Sequence, residues 1–205
     1  MENLILLLLV LTSVVSVTFI IERAFALRWK RVIPPGVEEA ARNCRSDAEL
    51  PMLHRICKEH PSALSRLFVA AATHLDCPRA ENVEALQTRA RHEIARLERG
   101  IVVLEIVTGI APLLGLTGTI YGLIMLFGNM GVAAADSTRF AGGIALALRA
   151  TLMGLLIAIP SLVAWSYFTR KVETLAVELE SQCDDFLRRF YGNGGQRTGG
   201  VGNAE

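Results

Sequence analysis

The chain carries almost no net charge: 21 Lys and Arg stand against 20 Asp and Glu in 205 residues, a formal balance of +1. Nothing in that balance suits a polyanion, so nucleic acid is not expected among its partners. A catalytic dyad, a nucleotide-binding loop and a credible metal cluster are absent too, so neither an enzyme nor a cofactor is expected. Cysteine is sparse, and Cys44, Cys57, Cys77 and Cys183 do not form the framework of a secreted disulfide protein. No internal repeat is visible. His54-x-x-Cys57-x-x-His60, with His74-x-x-Cys77 beyond it, offers zinc-type donors. Steps of three rotate around a helix, however, and put His54 and His60 ~120° apart. They read as helix-surface residues, and no metal is expected. A signal peptide also lacks its marks. The N-terminus has Glu2 and no basic residue, and Phe19-Ile20-Ile21-Glu22-Arg23 offers no small-residue cleavage site.

What the chain has instead is apolar length. Of its residues 52% are hydrophobic, concentrated in blocks over 3–21, 101–127 and 141–168. A membrane core needs a helix of ~20 apolar residues, and each block supplies about that. The expectation is an all-α integral membrane protein with three transmembrane helices. Orientation follows from the basic residues. Arg23, Arg28, Lys30 and Arg31 follow the first block, beside Trp29, and many more arginines lie before residue 100. The loop after the second block holds Arg139 beside Asp136, while Arg170, Lys171, Arg188 and Arg189 follow the third. The predicted layout is helix 1 over 1–22 with a periplasmic N-terminus, a cytoplasmic helical region over 23–100 and helix 2 over 101–127. A short periplasmic loop covers 128–140, helix 3 covers 141–168, a cytoplasmic C-terminal helix covers 169–192 and a disordered tail covers 193–205. All four cysteines then lie on the reducing side as free thiols.

Within 36–77 short helices are expected. Ser46-Asp47-Ala48-Glu49 looks like a helix start, and Pro61 suits the first position of another, with Leu64, Leu67, Phe68, Ala71 and Leu75 on its buried side. From Arg79 the apolar steps Val83, Leu86, Ala90, Ile94 and Leu97 predict one long helix running unbroken into the second membrane block. Val172, Leu175, Leu179, Gln182, Phe186 and Phe190 keep a matching seam after the third block, so helices 2 and 3 are expected to extend into a cytoplasmic stalk.

The faces of the membrane helices carry the functional signal. Ala111, Gly115, Gly118 and Gly122 fall within ~60° of arc on a helix, and Ala147, Thr151, Gly154 and Ala158 repeat the arrangement. Small residues let helix backbones approach closely in lipid. The contact made is either within the chain or between subunits around a partner helix. Beside the small stripe of the second helix, Glu105, Thr108, Pro112 and Thr119 form a polar one. Thr119 and Thr151 lie ~12 and ~15 Å below the outer surface at ~1.5 Å per residue. Each hydroxyl either bonds its own helix or belongs to a polar pathway. Two ionisable residues, Glu105 and Arg149, lie inside apolar blocks, where charges are costly and functional by default. Glu105 is a candidate for a water-facing vestibule. Arg149 points ~160° away from Thr151 and suits snorkelling or pairing with another subunit or lipid.

The second block, Ala111-Pro112-Leu113-Leu114-Gly115-Leu116-Thr117-Gly118-Thr119-Ile120-Tyr121-Gly122, resembles the APxLGLxGTVxGxxxxF signature of the MotA/TolQ/ExbB proton-channel family. The third, Gly143-Ile144-Ala145-Leu146-Ala147-Leu148-Arg149-Ala150-Thr151-Leu152-Met153-Gly154-Leu155 with Ala158-Ile159-Pro160, is similar to its GIxxALxxTxxGLxxAIP run, and Leu97-Glu98-Arg99-Gly100 to its lead-in. Three spans and this length look like the ExbB/TolQ branch. The resemblance implies a pentameric ring in a bacterial inner membrane around single-span ExbD/TolR-like partners, coupling the proton-motive force to work in the periplasm or at the outer membrane. It makes Thr119 and Thr151 ion-pathway residues. Glu105, Thr108 and Thr117 become pathway or vestibule candidates, and Ala111, Pro112, Gly115, Gly118, Gly122, Ala147, Gly154 and Ala158 become pore-packing residues. Leu146 departs from the family, which often has Glu there, and Arg149 replaces a usually uncharged residue. Those departures leave open a ring-forming scaffold of the same fold that does not conduct.

Overall fold

The computed structural model describes residues 2–44, 47–128 and 137–194. The chain divides into two compact units, one of residues 1–25 with 99–169, the other of 26–98 with 170–205.

The first unit contains the membrane-crossing segments. Helices α1 (Glu2–Ala26), α7 (Ile101–Gly128) and the apolar first half of α8 (Ser137–Gly194) are long and apolar enough to span a bilayer. Helix α1 buries Ile5, Leu9 and Ser16, spaced +4 and +7 on one narrow face. Apart from half-buried Val15, its remaining leucines and valines stay exposed, among them Leu7 at 65% and Val10 at 62%. In water such a surface would be untenable; in hydrocarbon it costs nothing and leaves close packing to hold helix to helix. Helix α7 runs antiparallel to α8, since Gly122 faces Ala147, Gly118 faces Ala150, and Gly115 faces Thr151. Helix α1 lies parallel to α8. Ile5 adjoins the Gly118–Ala150 level, and Ser16 bonds Ser161 side chain to side chain at 2.6 Å. Both pairs of levels are eleven residues apart, so one register satisfies both contacts.

The second unit is built from α2 (Trp29–Val32), α3 (Pro35–Asn43), α4 (Leu50–Glu59), α5 (Ala63–Thr73), α6 (Arg79–Glu98) and the last part of α8. Its apolar centre contains Leu64, Leu67 and Phe68 of α5 with Leu175, Leu179 and Phe186 of α8. Phe68 and Phe190 flank Phe186, at ring separations of 5.2 and 4.9 Å. Two expectations are corrected here. Pro61 does not open α5; the Ser62 hydroxyl accepts the Ser65 amide at 3.0 Å and caps the helix, which begins at Ala63. Leu75 accordingly falls beyond its end, half-buried. The helix expected to run unbroken from Arg79 is interrupted at Arg99 and Gly100. Glycine is a poor helix former, and the space a Cβ of Gly100 would fill is held by Arg23, 2.2 Å from its Nε. Ser46, most of the 128–140 loop and the end of the 193–205 tail lie outside the described residues.

Leu86 and Ala90 of the expected α6 seam are buried, yet the most enclosed side chains on that helix are polar: Asn82 and Glu93, both at 0% exposure. Asn82 donates to the Ala71 carbonyl and the Tyr191 hydroxyl, each at 3.1 Å. Glu93 accepts from Arg66 at 2.6 Å, with Arg96 at 3.6 Å. Burial alone would raise the Glu93 pKa; the Arg66 hydrogen bond and charge, with Arg96 and Arg89, outweigh it and hold the carboxyl below its ordinary range.

The cysteines are free thiols. Burial pushes Cys57 up to about 11, against a hydrogen bond with Ser65, and burial with the Glu180 charge pushes Cys183 up to about 12. At pH 7.5 their thiolate fractions are below about one in a thousand. In the native protein, maleimide is expected to label half-buried Cys77 while leaving Cys57 and Cys183 unmodified until denaturant is added. Equal labelling of Cys183 under native conditions would contradict this packing.

Candidate functional site

The small-residue stripes of α7 and α8 meet within the chain. A Cβ on Gly154 would stand 2.6 Å from the Ala111 carbonyl oxygen and 3.2 Å from Gly115 Cα. One on Gly115 would stand 2.9 Å from the Ala150 carbonyl and 3.0 Å from Thr151 Cα. These are backbone atoms with no freedom to step aside, so any side chain would force the helices apart. Further along, Gly118 packs on Ala150 and Gly122 on Ala147. Ala111 and Ala158 are buried with Val107, and Val15 and Ile157 close over them.

That proximity brings the threonines together. The Thr151 hydroxyl donates across the helix gap to the Gly115 carbonyl at 3.1 Å. The Thr119 hydroxyl donates to the same oxygen at 3.1 Å, and the two hydroxyls bond each other. Both residues are half-buried. Each hydroxyl has one hydrogen and two lone pairs. Three oxygens in mutual contact thus share two hydrogens, so when one hydroxyl donates to the other, the carbonyl receives from a single threonine. The same group can also donate to a carboxylate or water placed beside it. Thr119 thus makes the own-helix bond expected of a membrane hydroxyl, whereas Thr151 reaches across to the neighbouring helix.

The other candidates do not join this cluster. Thr108 donates to Leu104 at 2.8 Å and Thr117 to Leu113 at 2.8 Å, each satisfied by its own helix. Pro112, half-buried within α7, has no N–H, so the Thr108 carbonyl one turn earlier loses its helical donor. Glu105 and Arg149 are exposed on the surface of the unit. The side chain of Leu146 lies outside the described residues. Among the described residues no group of His, Cys, Asp and Glu could hold a metal; Cys57 is buried while His60 is exposed.

Two features escaped the sequence reading. The Gly115 carbonyl joins the threonine pair, but a backbone oxygen leaves no mark in a residue pattern. The buried Ser16–Ser161 pair, with Ser161 also donating to Ile157 at 2.7 Å, had a signal in two serines within apolar blocks. Pairing them required the α1–α8 register.

A sequence model of the MotA/TolQ/ExbB proton channel family matches residues 59–181, a stretch that holds Glu105, Thr108, Thr117, Thr119, Arg149 and Thr151. The chain is 31% identical over 185 residues to a biopolymer transport protein ExbB-like 1 of Synechocystis sp., covering 87% of this chain and 69% of the relative. It is 30% identical over 200 residues to ExbB-like 3 of the same organism, covering 87% and 88%. It is 32% identical over 118 residues to the biopolymer transport protein ExbB of Aquifex aeolicus, covering 56% and 79%.

Proposed function

The chain belongs to the MotA/TolQ/ExbB proton channel family, in its ExbB/TolQ branch, and on that footing we propose that it is the ring-forming subunit of an ion-driven motor in a bacterial inner membrane. Five copies enclose ExbD/TolR-like single-span helices and couple the proton-motive force to work in the periplasm or at the outer membrane, as in biopolymer transport. Its role is that of a transport component rather than an enzyme. Residues 23–100 and the C-terminal helix lie in the cytoplasm, and the N-terminus lies outside.

The observation that carries this reading is the hydroxyl pair of Thr119 and Thr151 on the Gly115 carbonyl, set between close-packed helices. A carboxylate on a guest helix is expensive to keep charged in a narrow apolar bore. Protonation neutralises it, and hydroxyls with water stabilise it again where the proton is released. An elementary charge crossing 100 mV supplies ~2.3 kcal/mol, enough to bias such a cycle. Thr119 and Thr151 form the ion pathway. Glu105, Thr108 with its freed carbonyl, and Thr117 line its approach or vestibule. The small residues from Ala111 to Gly122 and Ala147 to Ala158 set the pore packing.

Co-expression with the single-span partner is expected to give a complex whose proton flux into vesicles falls to background when Thr119→Val and Thr151→Val are combined. Valine keeps the shape and removes both hydroxyls. Unchanged flux would reject the pathway. A second reading, a ring-forming scaffold that does not conduct, draws on Arg149 and on the threonine pair being closed upon itself. It requires a stable complex with no flux and phenotypes insensitive to uncouplers.

A further inference from the structure

We infer that this chain docks on a second copy of itself through the second unit: the α6 face bearing Arg89 and Arg96 lies against the α8 stripe of Glu173, Glu180 and Asp184. The inference rests on the ring of copies proposed above and names the surface by which neighbours touch. In a ring each copy offers one patch to the next and a different patch to the last.

Helix α6 has cations to spare. Between residues 85 and 97 it carries Arg89, Arg91 and Arg96 against one carboxylate, Glu93. That carboxylate is enclosed and already bonded by Arg66 at 2.6 Å, with Arg96 at 3.6 Å and Arg89 acting from further away. Three guanidiniums therefore share a single negative charge. Arg89 and Arg96 are exposed, and seven residues of helix put them on one face, ~10 Å apart. The chain's own α8 does not use that face. It meets α6 along a groove lined by Val83, Ala90, Cys183 and Leu187, and Val83 and Ala90 stand ~100–140° around the helix from the two arginines.

Helix α8 has the opposite surplus. From 172 to 187 it carries Glu173, Glu178, Glu180, Asp184 and Asp185 and no lysine or arginine. Glu178 is bonded by Gln182 at 2.9 Å. Asp184 has Arg79 at 3.6 Å, but both side chains are more than half exposed, so that pair holds little. Glu173 and Glu180 are exposed and enter no ion pair or hydrogen bond among the described residues. Glu173, Glu180 and Asp184 fall within ~40° of arc on the helix, beside Val177, which is 68% exposed. The aliphatic stems of arginines laid across that valine would cover it.

The two faces also agree in level. Helices α6 and α8 run antiparallel: Asn82 bonds Tyr191, and Ala90 and Cys183 share the groove. That register puts Arg89 level with Asp184, and Arg96 level with Val177, between Glu173 and Glu180. A rotation about an axis along these helices keeps each level, so a neighbour brings its carboxylates within about one turn, ~5 Å, of the arginines. Glu98 is also exposed near this level, but it has Arg99 beside it and no second acid on its face of α6.

The test uses the full chain in detergent, with copies per complex read by native mass spectrometry. Glu173→Arg with Glu180→Arg is expected to raise the dissociated fraction roughly tenfold, because like charges across an interface repel. Adding Arg89→Glu and Arg96→Glu should restore assembly. No dissociation in the first variant, or no recovery in a folded fourfold variant, overturns the proposal. Should the fourfold variant fail to fold, crosslinking decides. Arg96→Cys and Val177→Cys are placed in separately tagged chains, co-expressed and treated with a short bis-maleimide. Covalent dimers carrying both tags, in excess of those from either variant with the native chain, support the surface. Assembled chain without them, or with Arg96→Cys joined to a different protein, overturns it and leaves the ring standing. A native chain that is monomeric overturns the ring and this surface together.

Discussion

Gly154→Val is expected to separate α7 from α8 and break up the threonine cluster without altering either hydroxyl. The first atom added at Gly154 meets the Ala111 carbonyl at 2.6 Å and the Gly115 backbone at 3.2 and 3.3 Å. Neither can rotate away, because each is held in the hydrogen-bonded ladder of α7. Relief must come from moving one helix, and overpacking of this kind costs about 1–3 kcal/mol, with valine toward the upper end. The hydroxyl bridge is the sensitive reporter, since Thr151 reaches Gly115 only across this gap. With Thr119→Cys and Thr151→Cys introduced together, oxidation is expected to close an intrachain disulfide in the native background. Adding Gly154→Val should lower its yield roughly tenfold or more, as 1.4 kcal/mol is a factor of ten. Gly109 is the control, because a methyl there meets nothing within 4 Å. Gly109→Ala should leave the disulfide yield intact. Equal yields in all three backgrounds would mean that Gly154 does not set the spacing.

Arg66→Met is expected to destabilise the second unit more than Glu93→Gln does, although the two changes delete the same ion pair. The asymmetry comes from exposure: Glu93 is at 0% and Arg66 at 38%. Removing Arg66 leaves a carboxylate in a place water does not reach, with Arg96 at 3.6 Å as its remaining close cation. Breaking a buried pair this way costs about 3–5 kcal/mol, and the partial exposure of Arg66 argues for the lower end. Removing the Glu93 charge leaves an arginine that can swing into solvent, at about 1 kcal/mol. The pH dependence separates the two causes. In the native chain the Glu93 carboxyl is held below its ordinary value. Its contribution to stability is therefore complete above the unfolded value and lost as pH falls through the folded one. Arg66→Met removes the hydrogen bond and the nearest charge that lower the Glu93 pKa and leaves Arg96 and Arg89. That variant should lose less stability than the native chain as pH falls. Thermal unfolding of the full chain in detergent between pH 7 and 4 reads both trends. Parallel curves for native protein and Arg66→Met would show that the pair does not govern this unit.

How far the sequence speaks depends on the range of the interaction. The membrane segments are a local property, since hydrocarbon demands uninterrupted apolar helix, and the blocks near 3–21, 101–127 and 141–168 could not be spent otherwise. The stripes from Ala111 to Gly122 and Ala147 to Ala158 are equally local, because 3.6-residue periodicity alone puts them on one face. Matching depth even paired Thr119 with Thr151. Short-range competition defeated the finer predictions: the Ser62 hydroxyl caps α5 and leaves Pro61 outside the first helical position it was expected to take, and Gly100 ended a seam that its apolar neighbours would have continued.

Composition and spacing along the chain thus determined that three helices cross the membrane and which of their faces can come close. Folding alone decided what those faces meet. Gly154 lies on the Ala111 carbonyl, Thr151 on the Gly115 carbonyl, Ser16 on Ser161, and Glu93 beneath Arg66. The physical reason is that a residue type states what a side chain can bond, whereas backbone oxygens are alike at every position. Which oxygen comes within 3 Å is a property of helix register, and register is settled by all the contacts at once.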